Sequence, residues 1–412
     1  MFIPPRPGAE VTTRDIDRGD HPHFLIKEIS ESPDSVRSTL RGRLVADGDG
    51  TLGVRLGSEV LCDDLRAELA AGAIRRVLVI GQGTAAVAGG SVARSLAEEL
   101  TGTGIEVDDL PATELSGFGL VPDMSDTLVV AISQSGTTTD TNRTVDLVRA
   151  RRARVVAIVN RRNSALVDRS GGVLYTSDGR DVEMSVASTK AFYAQAVAGV
   201  LLAAAVADAV GGGGAPDRAG VLSGLRDLPE AMGEVLAQRD RIAEIADRHA
   251  PARRHWAVVG SGPNLVAARE IRIKLSELCY KSISADATED KKHIDLSAEP
   301  LILVCATGLV GSTADDVAKE VAIYRAHRAA PVVVADAGSS RFSEALDVVL
   351  VPVIHPRLSF VLSTMVGHLF GYEAARSIDA QAQPLREAHA AIEREAVYLL
   401  SSEAEPGASV DG

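Results

Sequence analysis

Lysine is scarce in this chain. Only seven of its 43 basic residues are lysine: Lys27, Lys190, Lys274, Lys281, Lys291, Lys292 and Lys319. Arginine supplies the generic cations, so a retained lysine is a candidate for a chemically specified role; a compact ammonium does not replace a guanidinium fork. Cysteine is scarcer still. Cys62, Cys279 and Cys305 are odd in number and widely spaced, with no CxxC pair, which argues against a disulfide framework or zinc knuckle and for a reducing, cytoplasmic setting. Basic charge is in deficit, 43 against 56 acidic residues for a net charge of −13. Phosphate backbones and anionic membranes are repelled, so no nucleic-acid or membrane partner is expected. Long apolar runs are missing as well. Residues 196–207 make a run of twelve, short of the ~20 a membrane span needs, and read as a buried core helix. The opening MFIPPRPGAEVTTRD lacks the basic-then-apolar order of a secretory leader. There is no Walker A lysine motif and no HExxH, and neither metal nor cofactor is expected.

What is present is organised twice over. A length of 412 residues exceeds the ~250–300 at which one core stops growing, so two domains are expected. The first copy runs VLVIGQG (77–83), TLVVAISQSG (127–136), ARVVAIVN (153–160) and GGVLYTSDG (171–179). The second runs WAVVGSG (256–262), LILVCATG (301–308), PVVVAD (331–336) and DVVLVPVI (347–354), at offsets of 179 and 172 residues for the first two pairs. Apolar strands alternating with helix-length segments predict an α/β fold: two domains, each a parallel sheet flanked by helices, related by internal duplication. The division is an N-terminal arm (1–46, helical after Pro33), a first domain (47–210), a glycine-rich linker and helix (211–250), a second domain (251–380), and a C-terminal helix from Pro384 with its tail (381–412).

The corresponding loops differ in chemistry. Ser133-Gln134-Ser135-Gly136-Thr137-Thr138 runs into a helix and offers hydroxyls and backbone N–H groups at its N-terminus, a ready anion site at the carboxyl end of a parallel sheet. The bland alternative is a helix cap at Thr138–Asp140. Ala306-Thr307-Gly308-Leu309-Val310 has no such set of hydroxyls, so one phosphate site, in the first domain, is expected. GQGTAAVAGG (81–90) lacks the third glycine of a dinucleotide fingerprint and reads as a tight turn. Glu270, Lys274, Glu277 and Lys281 are spaced to share a helix face, either as a surface ion-pair ladder or as a general base held ionised by ammonium groups.

These segments, with DRGDHPHFLIKEISESPDSVRSTLRGRL, SVASTKAF (185–192), IKLSELCY and KKH, resemble the isomerase portion of the glucosamine-6-phosphate synthase family, built from two sugar-isomerase (SIS) domains, over roughly residues 19–390. The resemblance implies a hexose or hexosamine 6-phosphate substrate. Ser133, Gln134, Ser135 and Thr138 fall on the family's phosphate binders and Val186 and Ser188 on its sugar-contacting positions, while Thr84 lies in the first glycine turn of that substrate pocket. Glu277 falls on the base that moves a proton between C1 and C2, with Lys274 its charged neighbour. His293 falls on the histidine that helps open the sugar ring; in the family it enters from a neighbouring subunit, which implies a homodimer. The departures are as informative. These residues hold no counterpart of the family's glutaminase domain, so any amine would come from free ammonia or a separate glutaminase. The family's GELKHGP reads EDKKHID, and Ala85 replaces a serine. Its C-terminal Schiff-base lysine falls near His389, and an imidazole forms no stable imine. The expectation is an aldose/ketose isomerase interconverting fructose 6-phosphate and glucosamine or glucose 6-phosphate. An amino-sugar-phosphate deaminase and a non-catalytic sugar-phosphate sensor are the alternatives.

Overall fold

The computed structural model describes residues 17–379 except 49, 180, 213, 294 and 295. The helix expected from Pro384, and His389 with it, lie outside the described residues. In chain order, helix α1 (Phe24–Leu40) is followed by an antiparallel hairpin, β1 (Leu44–Ala46) with β2 (Leu52–Val54), and by α2 (Asp63–Ala70). The first sheet comprises β3 (Arg76–Gly81), β4 (Glu106–Pro111), β5 (Thr127–Ser133), β6 (Arg154–Val159) and β7 (Gly172–Tyr175), connected through α3 (Thr84–Glu99), α4 (Thr139–Arg149) and α5 (Ala165–Arg169). Helices α6 (Lys190–Val210), α7 (Arg218–Leu236) and α8 (Arg239–His249) lead to the second sheet. There β8 (Trp256–Gly260), β9 (Ile283–Asp286), β10 (Leu301–Ala306), β11 (Ala330–Asp336) and β12 (Asp347–Val351) alternate with α9 (Asn264–Cys279) and α10 (Gly311–Ala326). Helix α11 spans residues 360–379.

Both sheets are parallel throughout, and their orders correspond strand for strand: β4-β3-β5-β6-β7 and β9-β8-β10-β11-β12. Each has one strand more than the four legible in the sequence. The additions, β4 and β9, are edge strands. An edge strand needs little apolar character, and β4 (EVDDLP) has only exposed and half-buried positions, so it reads as loop. Two expectations for the N-terminus are corrected. The hairpin straddles the boundary placed after residue 46, and α1 begins at Phe24 and runs through Pro33 rather than after it. A proline inside a helix costs about 3 kcal/mol. The buried Leu25, Ile26, Ile29 and Val36, at ~1.5–3 kcal/mol per side chain, outweigh it.

Helix α6 is longer than the apolar run that announced it. By length and composition it would suit a membrane span, yet every residue from Lys190 to Ala207 is buried. A Cβ at Gly199 would sit 2.3 Å from Val92 Cγ2, which is why α3 and α6 pack so closely. One apolar cluster joins α1, α6, α7, α9, α11 and a face of the second sheet. The arm is therefore part of the core on which the second sheet packs, and the first sheet reaches it through α6, whose other face belongs to the first sheet's own cluster.

Candidate active site

Strand β5 delivers the hydroxyl-rich loop. Gly136 has φ +63°, and a Cβ there would meet Ser164 Oγ at 2.0 Å, so only glycine fits the turn. Ser133 Oγ accepts the Gly136 N–H (3.0 Å) and lies 3.3 Å from Thr138 Oγ1, while Ser135 Oγ accepts the Thr137 N–H (3.2 Å). The Thr138 side chain makes no capping bond to α4. Its hydroxyl turns toward Ser133, which favours the anion-site reading over the cap.

The mate of this loop in the second domain is differently furnished. Gly308 is the counterpart of Gly136, 172 residues on, and takes a similar φ of +67°. Its N–H donates to both Asp336 carboxylate oxygens (3.0 and 2.9 Å). The chain's own carboxylate stands where an external anion would sit, and burial pushes its pKa up.

Across from the first loop, α9 presents Lys274 and Glu277. Lys274 Nζ donates to Glu277 Oε2 at 2.9 Å and lies 3.7 Å from Glu270 Oε1. Lys274 and Glu270 are almost wholly buried, at 1% and 0%, whereas the Glu277 side chain is 44% exposed. This is not a surface ion-pair ladder. Lys281 is corrected: α9 ends at Cys279, Tyr280 turns the chain with φ 51°, and Lys281 Nζ goes to the Arg253 and Arg254 carbonyls (3.3 Å each) and the Trp256 ring. The lysine that pairs with Glu277 is therefore Lys274, not Lys281.

A third segment, SVASTKAF, leads into α6. Glu183 accepts the Ser188 hydroxyl (2.6 Å) and the N–H groups of Thr189 and Ala191, and Glu28 of α1 accepts those of Met184 and Ser185. Lys190 is held by Glu31 (2.8 Å). The arm thus braces this segment. Burial pushes Glu28 up to about 7 from 4.5, so the folded chain holds this proton more tightly than the unfolded one. Its contribution to stability is full below pH 4.5 and is lost as pH rises through about 7. Thermal unfolding between about pH 5 and 8 should show this decline in the wild type and less of it in Glu28→Gln; parallel profiles would refute the assignment.

The three segments enclose a cavity of about 220 Å³ whose lining includes Thr84, Ser133, Gln134, Ser135, Thr138, Val186, Ser188, Lys274 and Glu277. Of the phosphate, sugar and catalytic residues named from the sequence, only His293 among the described residues is not there; His389 lies outside the described residues. His293 ends a short turn (Asp290–His293), is 66% exposed and contacts Glu289 (3.0 Å); it does not line this cavity. Gln82, Ala85, Ile132 and Gln195 complete the wall. Gln195 was not singled out in the sequence, although it is the one polar side chain between Ala191 and Ala207 apart from Tyr193. Its Oε1 is buried without a partner among the described residues, an acceptor available to a ligand hydroxyl.

Residues 73–205 match the SIS domain model. The match spans the first sheet and its connecting helices. The chain resembles the isomerase portion of glutamine–fructose-6-phosphate aminotransferases (isomerizing): it is 34% identical to that of Symbiobacterium thermophilum over 363 residues, 87% of this chain and 57% of the relative. The enzyme of Gloeobacter violaceus is likewise 34% identical, over 86% of this chain and 56% of its own. The chain thus spans little more than half the length of these relatives. The C-terminal domain of the Francisella tularensis glucosamine-fructose-6-phosphate aminotransferase has the same fold, with TM-score 0.75 at 22% identity over 87% of this chain and 97% of that one.

Proposed function

We propose that the protein is a sugar-phosphate isomerase that interconverts aldose and ketose forms of a hexose or hexosamine 6-phosphate, fructose 6-phosphate with glucosamine or glucose 6-phosphate. The observation that carries this reading is one cavity with a hydroxyl-rich loop on one wall and a lysine-paired carboxylate on the other. Ser133, Gln134, Ser135 and Thr138 hold the phosphate, and Thr84, Val186 and Ser188 contact the sugar. Glu277 takes the proton from the carbon beside the carbonyl and returns it to the neighbouring carbon. Between fructose and glucose 6-phosphates this 1,2-enediol route, with one hydroxyl proton passing between O1 and O2, balances without an outside oxidant; glucosamine 6-phosphate additionally requires one ammonia taken in and one water released. Lys274 aims the carboxylate.

His293 serves ring opening from the neighbouring subunit of a homodimer. Its exposure and its place outside the cavity of its own chain support that role. Amination, where it occurs, draws on free ammonia or a separate glutaminase, and it does not pass through a lysine imine on residues 320–412, which contain no lysine. The buried α6 and three free cysteines support a soluble, cytoplasmic enzyme. Incubation with fructose 6-phosphate, with and without ammonium, followed by NMR, tests the reading: glucose 6-phosphate or glucosamine 6-phosphate should form, and an unchanged substrate would overturn it.

Phosphate recognition by the first domain has its own test. Ser135→Ala with Thr138→Ala removes two hydroxyls from a site for a charged group and should weaken sugar-phosphate binding by about 1–3 kcal/mol. Unchanged affinity in titration calorimetry would place the phosphate elsewhere.

A further inference from the structure

Behind the cavity wall runs a row of buried polar groups that proton transfer at Glu277 does not by itself require. Tyr193 of α6 and His368 of α11 are buried at 0% and 1%, with Tyr193 Oη 2.6 Å from His368 Nδ1. The other ring nitrogen, Nε2, lies 3.5 Å from Glu270 Oε1 and has no closer partner among the described residues. That same carboxylate oxygen accepts the Thr84 hydroxyl at 3.3 Å and faces Lys274 Nζ at 3.7 Å. Lys274 in turn grips Glu277. Four separate elements, α3, α6, α9 and α11, meet in this row.

The protons can be placed by counting donors. Burial pushes the Tyr193 hydroxyl well above its ordinary pKa, with Glu270 and Glu183 adding to the shift, so it stays protonated. Burial pushes His368 down against the opposing pull of Glu270, so the ring is neutral and carries one N–H. If that hydrogen sat on Nδ1, the Tyr193 O–H would lose its acceptor and the Nε2 lone pair would face a carboxylate. With Tyr193 donating to Nδ1, the ring N–H lies on Nε2 and points at Glu270. The charged groups that face this row are Glu270, Lys274 and Glu277 of α9 and Glu183 ahead of α6.

We propose that Tyr193 and His368 are positioning residues: Tyr193 selects the Nε2–H tautomer of His368, which steadies Glu270 so that Lys274 is held against the Glu277 carboxylate. The proposal rests on Glu277 as the base and deepens that reading. A histidine serving only to fill the core would stabilise the fold without affecting the chemical step.

The test uses the intact protein labelled with 15N-histidine, the His368 signals being assigned by their loss in His368→Gln. The wild type should show the Nε2–H tautomer near neutral pH, and Tyr193→Phe should lose that preference. Tyr193→Phe and His368→Leu should lower kcat for C1/C2 hydrogen exchange about tenfold to a hundredfold, the scale of a misplaced catalytic group, with KM nearly constant. His368→Gln, whose amide can still donate from the Nε2 position, should recover most of the loss. An Nδ1–H or charged ring in the wild type, unchanged kcat in Tyr193→Phe and His368→Leu, or equal loss in His368→Gln and His368→Leu would each overturn the proposal. Should the wild type turn over no hexose 6-phosphate, the functional reading falls, and the tautomers of wild type and Tyr193→Phe alone decide the inference.

Discussion

Glu277→Gln is expected to abolish exchange of the substrate C1 and C2 hydrogens with deuterated water, while sugar-phosphate affinity stays within about tenfold (~1.4 kcal/mol). The amide keeps the size and hydrogen-bonding reach of the carboxylate and removes its basicity. A positioned general base is worth ~10²–10⁴-fold, and Glu277 is the one carboxylate lining the cavity among the described residues. Its neighbour Glu270 is wholly buried behind Thr84 and Lys274 and cannot reach a sugar carbon without displacing them. Exchange in Glu277→Gln at the wild-type rate would mean that another group is the base. A wild type that binds hexose 6-phosphates but never exchanges their hydrogens would make the protein a sensor.

Lys274→Met should have the largest effect on stability. The methionine fills much of the same volume but leaves Glu270, at 0% exposure, without its cation. Removing one partner of a buried ion pair costs about 3–5 kcal/mol, because the remaining charge stays desolvated. Replacing both members with apolar groups is far milder, so Lys274→Met with Glu270→Leu should recover much of the loss. Urea unfolding of wild type and the two variants separates these cases. A single variant as stable as wild type would show that Glu270 takes up a proton at little cost, and that Lys274 is no anchor.

The candidate site was legible in the sequence to the extent that its chemistry is local. Ser133–Thr138 could be read as an anion loop because hydroxyls, glycine and a helix start are contiguous. Lys274 and Glu277 could be paired because three residues on a helix are neighbours by geometry. Lys281 was misplaced for the same reason: helical spacing says nothing about a left-handed residue at position 280 that turns the chain before it gets there. Tyr193, Gln195 and His368 gave no usable signal, lying within apolar stretches where a polar residue looks incidental. His368 meets Tyr193 across 175 positions.

The sequence by itself determined the two parallel sheets, their shared order for four strands each, and the difference between a hydroxyl loop and a bare one. Apolar strands and small-residue turns depend on interactions a few residues apart, so repeated patterns reveal repeated domains. Tertiary structure decided which parts would face each other. It set α9 of the second domain against the loop of the first, braced SVASTKAF with Glu28 from the arm, and filled the second domain's glycine turn with Asp336. Those pairings come from the packing of α1, α6, α7, α9 and α11 into a common core. The area buried there depends on the whole chain at once, which no local spacing encodes.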